Sequence, residues 1–236
     1  MTRGLFVTAT DTGVGKTYLS GAIADELRRQ GLRVGVAKPV LTGLDDPGPH
    51  DHELLGATPA ATFRPAVSPH FAAELAGTEL DPAALLANAH AAAEGNDAVV
   101  VEGVGGLLVP LTRSYTVRDF ARALGLPVIV ATRPALGTIN HTRLTLEAAA
   151  DLDVRAVVMT PWPAQPTPME EDNRALLGAH VLPQDGDASA LPVLFLQPHF
   201  QTGPVEHPGV RVFLRRGFAG FLHPKSFLPP YEIQVL

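Results

Sequence analysis

Apolar and polar positions follow two alternating patterns along this chain. Short, nearly unbroken apolar runs lie at Leu5–Thr8, Arg33–Ala37, Ala98–Val101, Pro127–Ala131, Val154–Met159 and Val193–Leu196. Runs of that length and composition read as strands covered on both faces. Between them the spacing is helical and predicts helices over Thr17–Gln30, Pro82–Ala93, Val117–Leu124, Thr138–Ala149 and Met169–Leu177. Gly31, Gly95 and Gly125 stand where helices should stop, and Asp81-Pro82 is a cap followed by proline at the first helical position. Strands alternating with helices imply βαβ units. The predicted fold class is therefore α/β, a mostly parallel sheet flanked by helices on both faces. In such sheets ligands bind beyond the carboxyl ends of the strands, which selects the residues just after each strand as candidates for chemistry.

The first strand runs into Thr8-Ala9-Thr10-Asp11-Thr12-Gly13-Val14-Gly15-Lys16-Thr17, and a helix follows. Strand, glycine-containing turn, Gly-Lys-Thr and helix is the layout of a phosphate-binding P-loop. Backbone N–H groups and the positive helix end surround a phosphate. Lys16 then adds a point charge for the outer phosphates, and the Thr17 hydroxyl reaches Mg²⁺. The strict pattern has glycine five positions before Gly15, and Thr10 stands there instead.

Composition narrows the picture. The chain has 236 residues, a formal net charge of −6 and no cysteine. Such a length favours one large domain. The acidic balance argues against a nucleic-acid partner, and no apolar run is long enough for a membrane span. Zero cysteine fits a reducing compartment and excludes a thiolate zinc site or a cysteine nucleophile. With the first strand starting at the N-terminus, the expected location is the cytoplasm.

The strand-end rule selects two further groups. Lys38 follows the second strand directly, aimed at the same crevice as the P-loop, and reads as a second phosphate or transition-state contact. Glu102 ends the run Ala98-Val99-Val100-Val101, where a P-loop protein places the carboxylate partner of Mg²⁺. The glycines of Gly103-Val104-Gly105-Gly106 allow backbone to approach a ligand closely. Asp51, in His50-Asp51-His52-Glu53, reads as a carboxylate completing an oxygen-rich Mg²⁺ shell rather than as part of a zinc site. His70 and His141 have no Ser/His/Asp arrangement around them.

Five stretches, in order, resemble the dethiobiotin synthetase family: Thr8–Thr17, Lys38–Gly43, Ser68-Pro69-His70, Val101–Leu111 and Leu136–His141. The resemblance covers roughly residues 4 to 198. It implies a single P-loop NTPase-like domain and an ATP-dependent cyclo-ligase of biotin biosynthesis. One amine of 7,8-diaminopelargonate takes up CO₂ as a carbamate, the nucleotide γ-phosphoryl activates it as a mixed anhydride, and the second amine closes the cyclic urea. The implied cofactor is Mg²⁺, with ATP or another nucleoside triphosphate as co-substrate. The implied partners are small-molecule substrates and a second copy of the chain, with no nucleic acid and no membrane. By resemblance, Lys38, Lys16 and Thr42 are catalytic. Thr12, Gly13, Val14, Gly15, Lys16, Thr17, Glu102, Thr160 and Pro161 bind the nucleotide. Thr17, Asp51 and Glu102 hold the metal. Thr12, Lys38, Thr42, Gly105, Gly106, Leu107, Gly137 and Asn140 bind the diamine, whose carboxylate is gripped near Gly137 to Asn140 partly by the neighbouring subunit.

Two places depart from the family pattern. Members usually carry Asn-Asp, the Asn reading adenine, where this chain has Thr160-Pro161, with Trp162 next to them as a residue that can stack on a base. The second is Pro192-Val193-Leu194-Phe195-Leu196-Gln197-Pro198, where members show Pro-Val-Leu-Gly and a short apolar-Pro turn; apart from these, Gly13 stands where some members carry Glu. These features divide the chain into a synthetase-like domain at 1–202 and an atypical proline- and aromatic-rich extension at 203–236, read as a surface arm or tail. A lineage-specific arm and a frameshifted end both remain open. Two other functions compete: a P-loop switch or partitioning ATPase, and a nucleotide-binding domain of an amidase type. Such switches tend to carry an extra lysine early in the P-loop, and Thr10 to Thr12 contain none.

Overall fold

The computed structural model describes residues 3–180 and 193–195. The expected extension at 203–236, and the boundary before it, lie outside the described residues. β1 (Arg3–Ala9) is at the centre of a six-stranded sheet, with β5 (Ala98–Glu102) on one side and β6 (Val128–Thr132) on the other. The full order is β2-β5-β1-β6-β7-β8, where β2 is Val34–Ala37, β7 is Val154–Met159 and β8 is Val193–Phe195. Every neighbouring pair is parallel.

Strict alternation along each strand explains the continuous apolar runs. Leu5, Val7, Ala9, Val100, Ile129, Ala131 and Val158 face one core, where α1 (Lys16–Arg29) lays down Leu19, Ile23 and Leu27. Phe6, Val99, Val101, Val128, Val130 and Val157 face the other. That second face is covered by α4 (Pro82–Ala93) through Leu85 and Ala89, and by α5 (Val117–Leu124) through Val117 and Phe120. The Phe6 and Phe120 rings meet edge to face, centroids 5.9 Å apart. The predicted spans of α4, α5 and β7 coincide with the observed ones, and α4 and α5 begin at the side-chain caps Asp81 and Thr116.

Packing of α4 on β2 is unusually close. A Cβ on Gly35 would lie 1.8 Å from the carbonyl oxygen of Ala92. Only a residue without a side chain permits that separation.

Between β2 and α4 the chain makes an excursion that the periodicity does not predict. Pro39 has no N–H to continue the ladder, so β2 stops and Lys38 is left at its tip. The chain then builds β3 (Val40–Thr42), α2 (Asp51–Leu55), β4 (Ala61–Phe63) and α3 (Pro69–Leu75). β3 and β4 pair in parallel as a separate two-stranded sheet. α2 is capped by His50, whose amide donates to Glu53 Oε2 at 2.8 Å, and it ends on Gly56. Further along, α6 (Thr138–Ala148) follows β6 and α7 (Pro168–His180) precedes β8.

Candidate active site

The carboxyl ends of β1, β2, β5, β6 and β7 converge where the sequence places its candidates. The P-loop leaves β1 and enters α1 through Gly15, which has φ +89° and lies close to Thr160, so a side chain would be both strained and crowded. No side chain caps α1, which leaves its first amides to a ligand. Lys16 is buried and donates to the Asp11 carbonyl at 3.2 Å.

Lys38 is the hub of the site. It is 2% exposed, and its Nζ lies 2.6 Å from Glu102 Oε1, 2.9 Å from Asp51 Oδ2 and 3.0 Å from the Gly103 carbonyl. The Thr17 hydroxyl donates to Glu102 Oε1 at 3.0 Å and also bonds to Asp51. Thr17, Lys38, Asp51 and Glu102 therefore form one hydrogen-bonded cluster from α1, β2, α2 and β5, with Lys16 beside it.

The two ammonium groups are balanced differently. Burial, then repulsion from Lys38, lowers the Lys16 pKa to about 8, against the pull of Glu102, Asp51 and Asp11. Burial also disfavours charge on Lys38, yet Glu102 and Asp51 together push its pKa above the ordinary lysine value. Burial works likewise against the Asp51 carboxylate, and Lys38 outweighs it and holds that pKa below the usual range. Two ammoniums and two carboxylates cancel. A triphosphate arriving here meets no net positive charge from these four side chains.

Donor chemistry fits a hard divalent ion. Glu102 Oε2 is buried with no hydrogen-bond partner among the described residues, and Thr17, Asp51 and Glu102 offer oxygen alone. These three residues would hold an ion such as Mg²⁺, which would supply positive charge beside the P-loop.

The other predicted site residues fall into two groups. The turn at Gly105-Gly106 packs on the P-loop. A Cβ on Gly105 would lie 3.5 Å from Thr12 Oγ1, and one on Gly106 would lie 3.4 Å from the Thr10 carbonyl. Gly13 and Thr12 are exposed, Val14 and Leu107 buried, so Leu107 has its main chain to offer. Thr160 is fully buried after β7 and donates its amide to the Thr132 carbonyl at 2.8 Å, while its Oγ1 has no partner among the described residues. Pro161 beside it is exposed.

A second group stays apart. Thr42 ends β3, half-buried, and no hydrogen bond among the described residues joins it to the lysine cluster. Gly137 and Asn140 lie exposed at the start of α6, where Gly137 has φ +93°. His70 pairs with Ser68 Oγ at 3.0 Å and lines a separate cleft of about 250 Å³ with Leu80, Leu111 and Arg113.

Trp162 corrects an expectation. It is 2% exposed and packed with Met159 and Leu177, with Ile139 against them, so its ring belongs to a small core and does not present a face to a base. The sequence reading also passed over Thr132 and Arg133. Thr132 Oγ1 lies within 3.3 Å of the hydroxyls of Thr10, Thr138 and Thr142, and Arg133 Nη2 donates to Asp11 Oδ2 at 2.9 Å. The signal was present: both residues follow a buried run at the carboxyl edge, as Lys38 does.

Comparison with known proteins agrees with this geometry. An AAA domain family matches residues 3–187. The solved structure of pNOB8 ParA superposes with a TM-score of 0.52 at 12% identity, covering 81% of this chain and 76% of that one, which speaks to the fold alone. The ATP-dependent dethiobiotin synthetase BioD of Anaeromyxobacter sp. (strain Fw109-5) is 43% identical over 67% of this chain and 74% of its own length. That of Mycobacterium avium (strain 104) is 46% identical over 74% of this chain and 82% of its own. With identity at this level over two thirds or more of each sequence, the chain belongs to the dethiobiotin synthetase family.

Proposed function

We infer that this chain is an ATP-dependent dethiobiotin synthetase that closes 7,8-diaminopelargonate and CO₂ into a cyclic urea. The observation that carries the reading is the buried Lys38, shared between Glu102 and Asp51 and linked through Thr17 to the P-loop. An amine nitrogen of the diamine bonds to the carbon of CO₂ and loses a proton, giving a carbamate. A carbamate oxygen attacks the γ-phosphorus and ADP leaves. The second amine then attacks the activated carbon, phosphate leaves, and the ring is closed. Each step gathers negative charge on oxygen, so positioning and charge neutralisation do most of the work.

In this reading Lys16 and the amides from Thr12 to Thr17 hold the β- and γ-phosphates. Lys38 faces the transferring phosphoryl and the carbamate. Mg²⁺, held by Thr17, Asp51 and Glu102, supplies the positive charge that the balanced side chains lack. Thr12, Thr42 and the main chain of Gly105, Gly106 and Leu107 seat the diamine. Thr160 and Pro161 lie toward the base, and the absence of an Asn there relaxes base selectivity. A homodimer accounts for Gly137 and Asn140, which are exposed here and would serve a neighbouring site. Leu136 and Leu144 beside them are 84% and 55% exposed, an apolar surface suited to a second copy. The reaction belongs in the cytoplasm; among the described residues no helix is long and apolar enough to cross a membrane.

The test is phosphate release with ATP and Mg²⁺, with and without the diamine and bicarbonate, and product mass as the second readout. Release that requires both substrates, with a product of dethiobiotin mass, is the expected result. Equal release without the diamine would turn the reading toward a switch ATPase. Full activity in a monomer by light scattering would defeat the shared site.

A further inference from the structure

Three consecutive residues at the end of β6 hold three consecutive residues of the P-loop. The Ala131 carbonyl accepts the Thr10 amide at 3.0 Å, and Thr132 Oγ1 accepts the Thr10 hydroxyl at 3.3 Å. Arg133 Nη2 donates to Asp11 Oδ2 at 2.9 Å and to the Thr12 carbonyl at 3.4 Å. The anchor is rigid. Thr132 Oγ1 also meets Thr138 at 2.8 Å and Thr142 at 3.0 Å, and all three hydroxyls are buried. Arg133 thus leaves a fixed strand end and spans to the loop.

The pair poses a problem that stability does not answer. Asp11 and Arg133 are 53% and 40% exposed, and ion pairs that wet contribute little to folding. Yet Asp11 puts a carboxylate inside a loop built to surround a polyanion. Its Oδ1 accepts the Thr12 amide at 2.7 Å, which turns the carboxylate back onto the loop. Its carbonyl accepts Lys16 Nζ, and its charge reaches that ammonium. Left uncompensated, the same charge would oppose an incoming triphosphate.

We propose that Arg133 is a positioning residue that acts by neutralising Asp11, so that the P-loop offers its amides and Lys16 to the nucleotide without a competing negative charge. The proposal rests on the nucleotide-binding reading above. It makes the arginine act through Asp11 and not as a contact of its own.

The experiment is titration calorimetry of ATP with Mg²⁺ on the full chain, at low and high salt, for the native protein, Arg133→Gln, Asp11→Asn and the double variant. Both side chains are about half exposed, so all four proteins should melt within about 2 °C of one another. Arg133→Gln is expected to weaken binding about tenfold at low salt, with the gap narrowing as salt rises. Asp11→Asn should bind at least as tightly as the native chain, and the double variant should return to within about twofold of it. Arg133→Lys, which keeps the charge, should recover most of the loss. Unchanged binding in Arg133→Gln overturns the proposal. So does a double variant as weak as Arg133→Gln, because the arginine would then be touching the nucleotide itself. Asp11→Asn as weak as Arg133→Gln overturns it too, since the pair would then be a mechanical brace. The two readings fail separately: a chain that shows this binding pattern but makes no dethiobiotin keeps the role of Arg133 and loses the synthetase assignment.

Discussion

Lys16, at the start of α1, and Lys38, at the tip of β2, are both buried ammonium groups in one site, 7% and 2% exposed. Their surroundings treat them in opposite ways. Lys38 has two carboxylates and a carbonyl, and its proton is held more tightly than in water. Lys16 has a carbonyl as its hydrogen-bond partner and loses its proton more readily, with a pKa near 8. The difference separates two uses of a charge. Lys38 is part of the folded framework before any substrate arrives. Lys16 is kept at a cost in stability, which the binding of a polyanion offsets.

The most severe way to probe this contrast is to remove divalent metal. Lys38 already satisfies Glu102 Oε1 and Asp51, so the lysines alone leave the cluster neutral toward a triphosphate. Turnover in excess chelator should fall below detection, Mg²⁺ or Mn²⁺ should restore it, and zinc should not. Undiminished turnover in chelator would show that the two lysines suffice.

Lys38→Met comes next. It removes the ammonium bonded to both the fully buried Glu102 and Asp51, which should cost about 3–5 kcal/mol of stability by urea denaturation. It should also lower kcat about 10²–10³-fold in molecules that remain folded, with a smaller change in the nucleotide KM. A Lys38→Met protein of native stability would erase the distinction between the two lysines.

Lys16→Met should do the reverse to the fold. Nucleotide affinity should drop about a hundredfold, roughly 2.7 kcal/mol. The melting temperature should nevertheless rise by about 2–4 °C, since a desolvated charge has been replaced by an apolar chain of similar length. A lower melting temperature would mean that the bond to the Asp11 carbonyl outweighs the desolvation.

The smallest expected effect lies at the uncharged end of the nucleotide. Thr160 and Pro161 cannot form the two-point amide pair with adenine, and Trp162 is packed away in a core. ATP, GTP and CTP should therefore give kcat/KM values within about tenfold, a gap of about 1.4 kcal/mol. An ATP preference beyond about a hundredfold would point to another adenine contact.

These same regions differ in how readily they were read from sequence. Strands buried on both faces announce themselves as apolar runs, and α4, α5 and β7 match their predicted spans because caps and glycines mark their ends. β3 and β4 have three residues each and α2 has five, too few for any period to emerge. Their existence depends on pairing across the excursion that Pro39 starts. Within the site, Lys38 and Glu102 follow from the strand-end rule alone. Asp51 was read as a carboxylate for a metal shell, but nothing local says that a short helix will carry it to Lys38. Arg133 was missed because its partner Asp11 is 122 positions away. Trp162 was misread for a similar reason: its neighbour Leu177 belongs to α7, and no local pattern reveals that an aromatic ring beside a proline faces inward.

The contact between Gly35 and the Ala92 carbonyl bears on how this protein can vary over generations. Even a single methyl group at position 35 has no room, so α4 would have to lift from β2 or β2 would have to slide. Lys38 sits three residues farther along the chain, about 10 Å in a strand. Any slide of β2 would carry its ammonium with it, away from Glu102 on the adjoining strand. Drift at a site that touches no substrate is thus coupled to the chemistry. Lineages that lose this glycine must remodel the last turn of α4 at the same time or give up the reaction.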